Sequence, residues 1–578
     1  MDVDVGFHVE FLTKEEAWTL FKKKVGNHVD SHDEPLRDIA WAICNKCRGL
    51  PVAINAIGGA LKGKDMHAWK DALHKLKNSM LKDIVGINQK VYASLKWSYD
   101  QLASEDAKSC FLLCCLFAED AEISIDDLVR YYMAWRTLNH YQMPVTLEQG
   151  FDRVCTVVDT LKSCCLLLDG ESKHLVKMHD VVRDIAISIA KDEKSFLVKH
   201  GFKDWPEKVA YEHCSVISLR PDDVRKVPDK LVCPELHTLR LDCATNRSPL
   251  QIPDEFFIGT GNLMVLDLTR VIMSPLLPAS LAKLAKLQML CLNRCHLGDI
   301  SILKDLKVHL EILSLRGSNI EVLPPEVGEL TRLRLLDMSD CLQLGMIPKG
   351  VISKLFRLEE LHMPMNFGKW EGTTNERKIS NASLDELMSL TRLTTLNIWI
   401  PDAALLPEDL SFENLVRFEI IISKRFEYDP VRHFRHRVYT KPLTGILILE
   451  NFHVANNLEF LLGKPKRSIP RNVLYPYLTD LSVRDCGMKY LFSPSCAREL
   501  VGLQRLTIKH CGVMEGVIET EKDKDEDIPI IFSGLKLLNL KNLPNLISFY
   551  PEKGKTATSS GSSSDHAQTV LFNDKVML

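Results

Sequence analysis

LEILSL (Leu310–Leu315) is preceded by LQMLCL (Leu287–Leu292) and followed by LRLLDM (Leu333–Met338), and this L-x-x-L-x-L frame decides the architecture of most of the chain. Toward the N-terminus it recurs at Leu263/Leu266/Leu268 and Leu236/Leu239/Leu241, with a degenerate first copy at Cys214/Ile217/Leu219. Toward the C-terminus it continues at Leu358/Leu361/Met363, Leu393/Leu396/Ile398 and Leu415/Phe418/Ile420. Looser copies follow at Leu443/Ile446/Ile448, Leu478/Leu481/Val483, Leu503/Leu506/Ile508 and Leu535/Leu538/Leu540. Most spacings are 22 to 28 residues, and 32 to 35 where loops are inserted. That period marks an array of about 13 leucine-rich repeats. One strand cannot shield its own leucines, but stacked copies make a continuous core beneath a concave parallel sheet. Residues between the leucines, such as His237, Thr238 and Arg240, or Gln288, Met289 and Cys291, should line the concave face. Cys295, Cys341, Cys486 and Cys511 each fall eight residues after the first leucine of a copy, the slot for a structural Asn or Cys.

The totals fit a folded chain of several domains. At 578 residues, 46% hydrophobic and 26% charged, the formal net charge is only -3, which gives no bulk attraction to nucleic acid or anionic lipid. The longest apolar runs, such as CFLLCCLFA (Cys110–Ala118), fall short of the roughly 20 residues a membrane-spanning helix needs. The start, MDVDVGFHVEF, lacks the basic flank and apolar stretch of a secretory signal. The 17 cysteines are then expected to be reduced thiols in a cytoplasmic protein, a setting compatible with peripheral membrane or nuclear association. No integral membrane segment and no direct nucleic-acid contact are expected.

Between residues 10 and 200 the apolar rhythm is helical. Thr13 and Glu16 form a capping box ahead of Ala17, Leu20 and Phe21. Further helices are predicted near 34–47, 51–61, 66–76, 87–97, 104–117 and 124–138. Ser163–Leu168, the turn Asp169-Gly170 and His174–Met178 predict a hairpin of two short strands. A helix follows, with Val182, Ile185 and Ile189 on one side. The fold class is thus α + α/β: a small helical bundle, a winged-helix unit, then a leucine-rich-repeat solenoid.

Chemistry-bearing motifs are few. Gly58–Asp65 (GGALKGKD) matches a phosphate loop through its lysine, but Asp65 stands where a Mg²⁺-binding hydroxyl belongs, and the preceding stretch reads as helix. Cys44-Asn45-Lys46-Cys47 lacks a second ligand pair, so no metal site is expected. Cys164-Cys165, read as part of a strand, would point to opposite faces. Lys424–Lys441 is basic but interrupted by acids, and Glu519–Asp527 is acidic; both read as solvated insertions between repeats. Thr556–Gln568 reads as a flexible low-complexity tail leading into an incomplete repeat. No catalytic residues emerge. In Met178-His179-Asp180, Asp180 stands at the expected N-cap of the next helix, and His179 lies where an imidazole could meet an anion at that helix's N-terminus. From spacing alone the cap is favoured.

The ordered set FLTKEEAWTLF (Phe11–Phe21), CRGLPVA (Cys47–Ala53), WSYDQL (Trp97–Leu102), CFLLCCLFAEDAEISI (Cys110–Ile125) and Met178-His179-Asp180 resembles plant nucleotide-binding (NB-ARC), leucine-rich-repeat disease resistance proteins of the coiled-coil class. That resemblance implies a helical remainder of the NB-ARC module at 1–84, a winged-helix domain at 85–205, the repeat solenoid at 206–550 and a tail at 551–578. It implies ADP/ATP binding through Gly49, Leu50 and Pro51, with Pro51 against adenine, and His179 at the β-phosphate, flanked by Met178 and Asp180 in the switch. The family's coiled coil, phosphate loop, Mg²⁺-binding strand and arginine sensor have no counterpart after residue 10, so NTPase activity is not expected. Ala118 and Tyr131–Arg136 also depart from the family's motifs. The function implied is innate-immune sensing of a pathogen effector or guarded host protein on the concave face, under nucleotide control, with intramolecular or self-association of receptors. A leucine-rich-repeat binding scaffold or decoy without a nucleotide role is the alternative.

Overall fold

The computed structural model describes residues 12–26, 34–47, 49–77, 91–135, 146–245, 250–371, 380–407, 414–424, 445–450, 477–519 and 532–549. The chain divides into two compact units, Met1–Arg270 and Val271–Leu578. Its first repeats therefore cluster with the helical region.

In the first unit the helices are α1 (Lys14–Val25), α2 (Glu34–Lys46), α3 (Pro51–Leu61), α4 (Met66–Lys77), α5 (Val91–Asp100), α6 (Glu105–Cys114), α7 (Ile125–Trp135), α8 (Leu147–Ser163) and α9 (Asp180–Lys194). The expected capping box opens α1: the Glu16 amide donates to Thr13 Oγ1 (3.3 Å), and the Thr13 amide donates to Glu16 Oε2 (2.9 Å). α1 packs on α2 and α3, and α2 on α4. Phe21 and Ile43 are fully buried there, and the Phe21 and Trp69 rings meet edge to face at 6.2 Å. α6, α7 and α8 pack on one another as a second cluster, and α9 packs on α6 and α5. Beside it lie β1 (Ile123–Ser124), β2 (Leu168–Asp169) and β3 (Leu175–Lys177), antiparallel in the order β1-β3-β2.

Three expectations change here. α8, opened by a capping box of Thr146 and Gln149, was not predicted, and it absorbs the start of the supposed first hairpin strand. Cys164 caps its C-terminus and Cys165 takes a left-handed conformation (φ 57°), so neither lies in a strand. A short apolar run cannot by itself distinguish a strand from the end of a helix. The helix predicted at 87–97 is described as Val91–Asp100.

The repeat sheet also begins earlier than the leucine frame. β4 (Phe196–Phe202) pairs in parallel with β5 (Val216–Pro221), which is followed by β6 (Thr238–Asp242), the short β7 (Leu250–Gln251) and β8 (Val265–Thr269); β5, β6 and β8 pair in turn. β4 (FLVKHGF) stands first in that order and carries no L-x-x-L-x-L signature.

The second unit contains β9 (Val271–Leu276), β10 (Met289–Asn293), β11 (His296–Asp299), β12 (Ile312–Ser314), β13 (Leu335–Asp337), β14 (Glu360–His362), β15 (Thr395–Ile400) and β16 (Arg417–Ile422). β17 (Gly445–Glu450), β18 (Leu478–Arg484), β19 (Arg505–Lys509) and β20 (Leu537–Lys541) complete it. From β12 onward each strand pairs in parallel with the next, β10 pairs with β12, and β11 pairs with β9. Every predicted frame has its strand. Leu290, Leu313, Leu336, Leu361 and Leu396 align in register and have no exposed surface. Short 3-10 turns at Ser301–Leu306, Pro325–Glu329 and Leu384–Ser389 lie between strands. The four slot cysteines are buried; the Cys341 thiol donates to the Leu315 carbonyl (3.0 Å).

Among the described residues no helix is long and apolar enough to cross a membrane, and no group of three potential ligands could hold a metal. The segments 425–441, 520–527 and 556–568 lie outside the described residues.

Candidate functional site

His179, and not Asp180, caps α9. With β3 ending at Lys177, the chain turns through Met178 into His179 (φ -60°, ψ 139°), whose Nδ1 accepts the Val181 amide at 3.1 Å. The His179 carbonyl accepts from Arg183 N at 2.8 Å, closing the first helical turn. Asp180 is therefore the first helical residue, where its carboxylate favours the positive end of the helix dipole. An imidazole that accepts at Nδ1 is neutral there and carries its proton on Nε2, a donor suited to a phosphate oxygen. Met178, His179 and Asp180 are all buried, His179 to 9% exposure.

Gly49, Leu50 and Pro51 open α3. Leu50 is the N-cap without a side-chain bond, and Pro51 occupies the first turn, where its missing N–H costs nothing. Gly49 has φ 75°, and a Cβ there would lie 2.3 Å from the Leu12 carbonyl oxygen. Only glycine permits that approach, sealed by the Leu12 amide donating to the Gly49 carbonyl (3.1 Å). Pro51 is exposed. Each predicted set is thus tied into its own helix start, and α5 packs against both α3 and α9.

The other candidates are structural. Gly58 to Leu61 belong to α3, and the Asp65 carboxylate accepts the Ala68 amide (2.9 Å), capping α4. Cys44 and Cys47 are buried, and burial pushes the Cys44 thiol up to about 11, away from thiolate chemistry.

Sequence reasoning missed a buried polar junction inside the first unit. Beyond the C-terminus of α6, the Leu116 carbonyl accepts from Ser218 Oγ (2.8 Å) and Arg240 Nη1 (3.3 Å), and the Phe117 carbonyl from Arg183 Nε (2.8 Å). Two guanidinium groups thus bind carbonyls of the turn that follows α6. Arg240 lies 4.9 Å from the Phe117 ring centroid and 3.3 Å from Asp267 Oδ2, which also accepts from the Tyr131 hydroxyl at 2.7 Å. Burial pushes the Asp267 carboxyl up, opposed by Arg240 and by the Tyr131 bond. Trp135 Nε1 donates to Thr238 Oγ1 (2.8 Å). Arg183 Nη2 lies 3.0 Å from His200 Nδ1, and burial, then Arg183, Arg240 and Arg220, hold that imidazole down at about 2. The signal available beforehand was charge in apolar settings: Arg183 within VVRDIAISIA, Arg240 within LRLD and Asp267 within VLDLT.

Comparison with known proteins places this architecture. Residues 459–559 match the family described as plant disease resistance protein RPS2-like, leucine-rich repeats. The disease resistance protein At4g27190 of Arabidopsis thaliana is 33% identical over 437 residues, 74% of this chain and 43% of that protein. Disease resistance protein RPS5 of the same plant is 32% identical over 63% of this chain and 41% of its own length. Disease resistance protein UNI, also from Arabidopsis thaliana, is 31% identical over 94% of this chain and 57% of its own length. The chain spans about half the length of the curated relatives it matches. With helices leading into a leucine ladder, the chain is a homologue of plant disease resistance proteins, and its residues 459–559 match the leucine-rich repeats of an RPS2-like family.

Proposed function

We propose that the chain is the sensing and switching portion of a plant innate-immunity receptor of the NB-ARC leucine-rich-repeat type, working in the cytoplasm. The repeat array engages a pathogen effector or guarded host protein on its concave face, and the helical region responds to ADP or ATP. The observation that carries the nucleotide part is the His179 cap: Nδ1 accepts from Val181, which fixes the imidazole at a helix N-terminus, where a phosphate is favoured. Pro51, exposed at the start of α3, has the apolar surface an adenine ring needs. These residues fit one side of an ADP site. The Gly58–Asp65 stretch does not fit the other, because it is helix and cap, so NTPase activity is not proposed. A bound nucleotide would supply phosphate charge at the α9 N-terminus, and it biases the switch only in so far as it binds two arrangements unequally.

Calorimetric titration with ADP tests this on the chain joined to the phosphate-loop subdomain of a relative. His179→Ala should weaken binding about tenfold or more, the worth of a hydrogen bond to a charged group. Unchanged affinity would remove the phosphate role and leave the second reading, a repeat scaffold without nucleotide control. The helical conformation of Gly58–Leu61 favours that alternative.

A further inference from the structure

The repeats of the second unit carry a second ordered row, outside the concave face. Leu290, Leu313, Leu336, Leu361 and Leu396 are register partners in successive strands. Four residues before each stands a basic side chain or a histidine: Lys286, His309, Arg332, Arg357 and Arg392, all exposed. The approach to the strand repeats too, with Leu333 N donating to Leu330 O, Leu358 N to Leu355 O and Leu393 N to Leu390 O at 2.8–3.0 Å. Bonds between rungs begin two residues later, at Glu359 N to Arg334 O (2.8 Å) and Thr394 N to Glu359 O (2.9 Å). Arg332, Arg357 and Arg392 therefore start from backbone positions about 4.8 Å apart, the parallel-strand spacing. No described residue forms an ion pair with any of the three. A run of unneutralised like charges in a chain of net charge -3 is a local field that favours an anionic partner.

Beside this row lies apolar surface. One position earlier in the same rungs, Val308 is 55% and Phe356 50% exposed. A shallow groove of about 470 Å³ is lined by Lys307, Gly328, Glu329, Thr331, Lys354 and Phe356. Its one acid, Glu329, is already engaged by Lys307 at 3.4 Å. At Gly328 the lack of a side chain keeps the groove clear; a Cβ would lie 3.2 Å from Lys354 Cδ.

We propose that this edge of the array docks an amphipathic helix of a partner protein, with Asp or Glu on the arginine row and an apolar stripe in the groove. The spacing argues for a helix: residues three to four apart on one face are about 5–6 Å apart, close to the rung separation, whereas successive residues of an extended strand are about 3.3 Å apart. A helix along the row meets one arginine per turn, and its neighbouring face supplies the apolar side chains. A lipid surface or a nucleic-acid backbone would use the cations and leave the groove idle. The inference does not depend on nucleotide binding, so it and the ADP titration can fail separately.

The test is fluorescence anisotropy of the full chain with a labelled helical peptide of about 18 residues, carrying Glu at i, i+4, i+7 and i+11 beside a leucine stripe. A peptide of the same composition in scrambled order serves as the control. Saturable binding is expected, falling at least tenfold for the scrambled peptide and for Arg332→Glu/Arg357→Glu, and several-fold with Phe356→Ser, as exposed ion pairs plus one apolar contact imply. Arg225→Glu/Lys226→Glu, at exposed positions in the first unit, should change nothing. If charge reversal harms folding, Arg332→Gln/Arg357→Gln gives the same comparison more gently. Binding that ignores the arginine variants, or no saturation below about 1 mM, overturns the proposal. It is also overturned if phosphatidylserine-containing vesicles or a short DNA duplex bind more tightly through the same arginines.

Discussion

Two stretches of repeat handle the polar residues between their leucines in opposite ways. In the first unit, the polar residues that follow the second leucine of the frame, Arg240 and Asp267, meet Tyr131, Phe117 and the Leu116 carbonyl, from elements more than a hundred residues away. In the second unit, polar residues ahead of the second leucine pair with one another from rung to rung. Arg334 bridges Glu311 (3.2 Å) and Glu359 (2.7 Å), and Arg417 pairs with Glu360 (2.7 Å), which also meets His362 (3.3 Å). A leucine frame thus dictates a sheet while leaving open whether its polar face is covered or turned inward on itself. Where helices cover it, charges are buried and costly to disturb. Where only neighbouring strands are at hand, the charges form a ladder that a ligand can compete for.

The sharpest way to break that contrast is Arg240→Ala. It leaves Asp267 buried without its cation, so the first unit should lose about 3–5 kcal/mol. Hydrogen exchange should show the loss in β5–β8 and α6–α7. Protection changes confined to β6 would mean that the junction is not cooperative. In the second unit, Leu336→Ala removes a side chain with no exposed surface, at a cost of about 2–5 kcal/mol by denaturant melts. There the loss should spread along neighbouring rungs. Tyr131→Phe keeps the ring and deletes one bond to a carboxylate, for about 1.5–3 kcal/mol. A change below half a kcal/mol would place the strength of the junction in packing instead.

The smallest effect is a pH dependence. His200 is held down at about 2 from an ordinary 6.5, so it is neutral in the folded chain, whereas the unfolded chain takes up a proton below about 6.5. Its contribution is complete above that pH and is lost as pH falls toward the folded value, with a slope of at most about 1.4 kcal/mol per unit. Denaturation midpoints should fall between pH 7 and pH 5, less steeply in His200→Gln. Coincident slopes would show that this imidazole does not report on the junction.

Much of the candidate site could be read beforehand, and the errors were local in kind. That His179 and Asp180 begin a helix followed from the apolar pattern of Val182, Ile185 and Ile189, yet the capping role passed from Asp180 to His179. Either side chain can accept an amide, and the backbone angles at residue 179 decide which one does. Gly49 was noted for its motif, but its reason, the approach of the Leu12 carbonyl, lies across a helix pair. α8 was legible but missed: Leu147, Gly150, Val154, Val157, Val158 and Leu161 recur at helical spacing behind the Thr146–Gln149 capping box, and they form the buried face of a helix that packs on α6 and α7.

By itself, the sequence determined the repeat frame, the position of every leucine strand, the buried cysteine slots and the Thr13–Glu16 cap. Those features depend on interactions within a few residues, or on a burial rhythm written along one strand. Only the tertiary structure decided that β4 opens the sheet, that His179 caps α9, and that Arg240 and Asp267 are locked under α6 and α7. Desolvating a charge depends on what packs over it, and that is set by chain segments a hundred or more residues away.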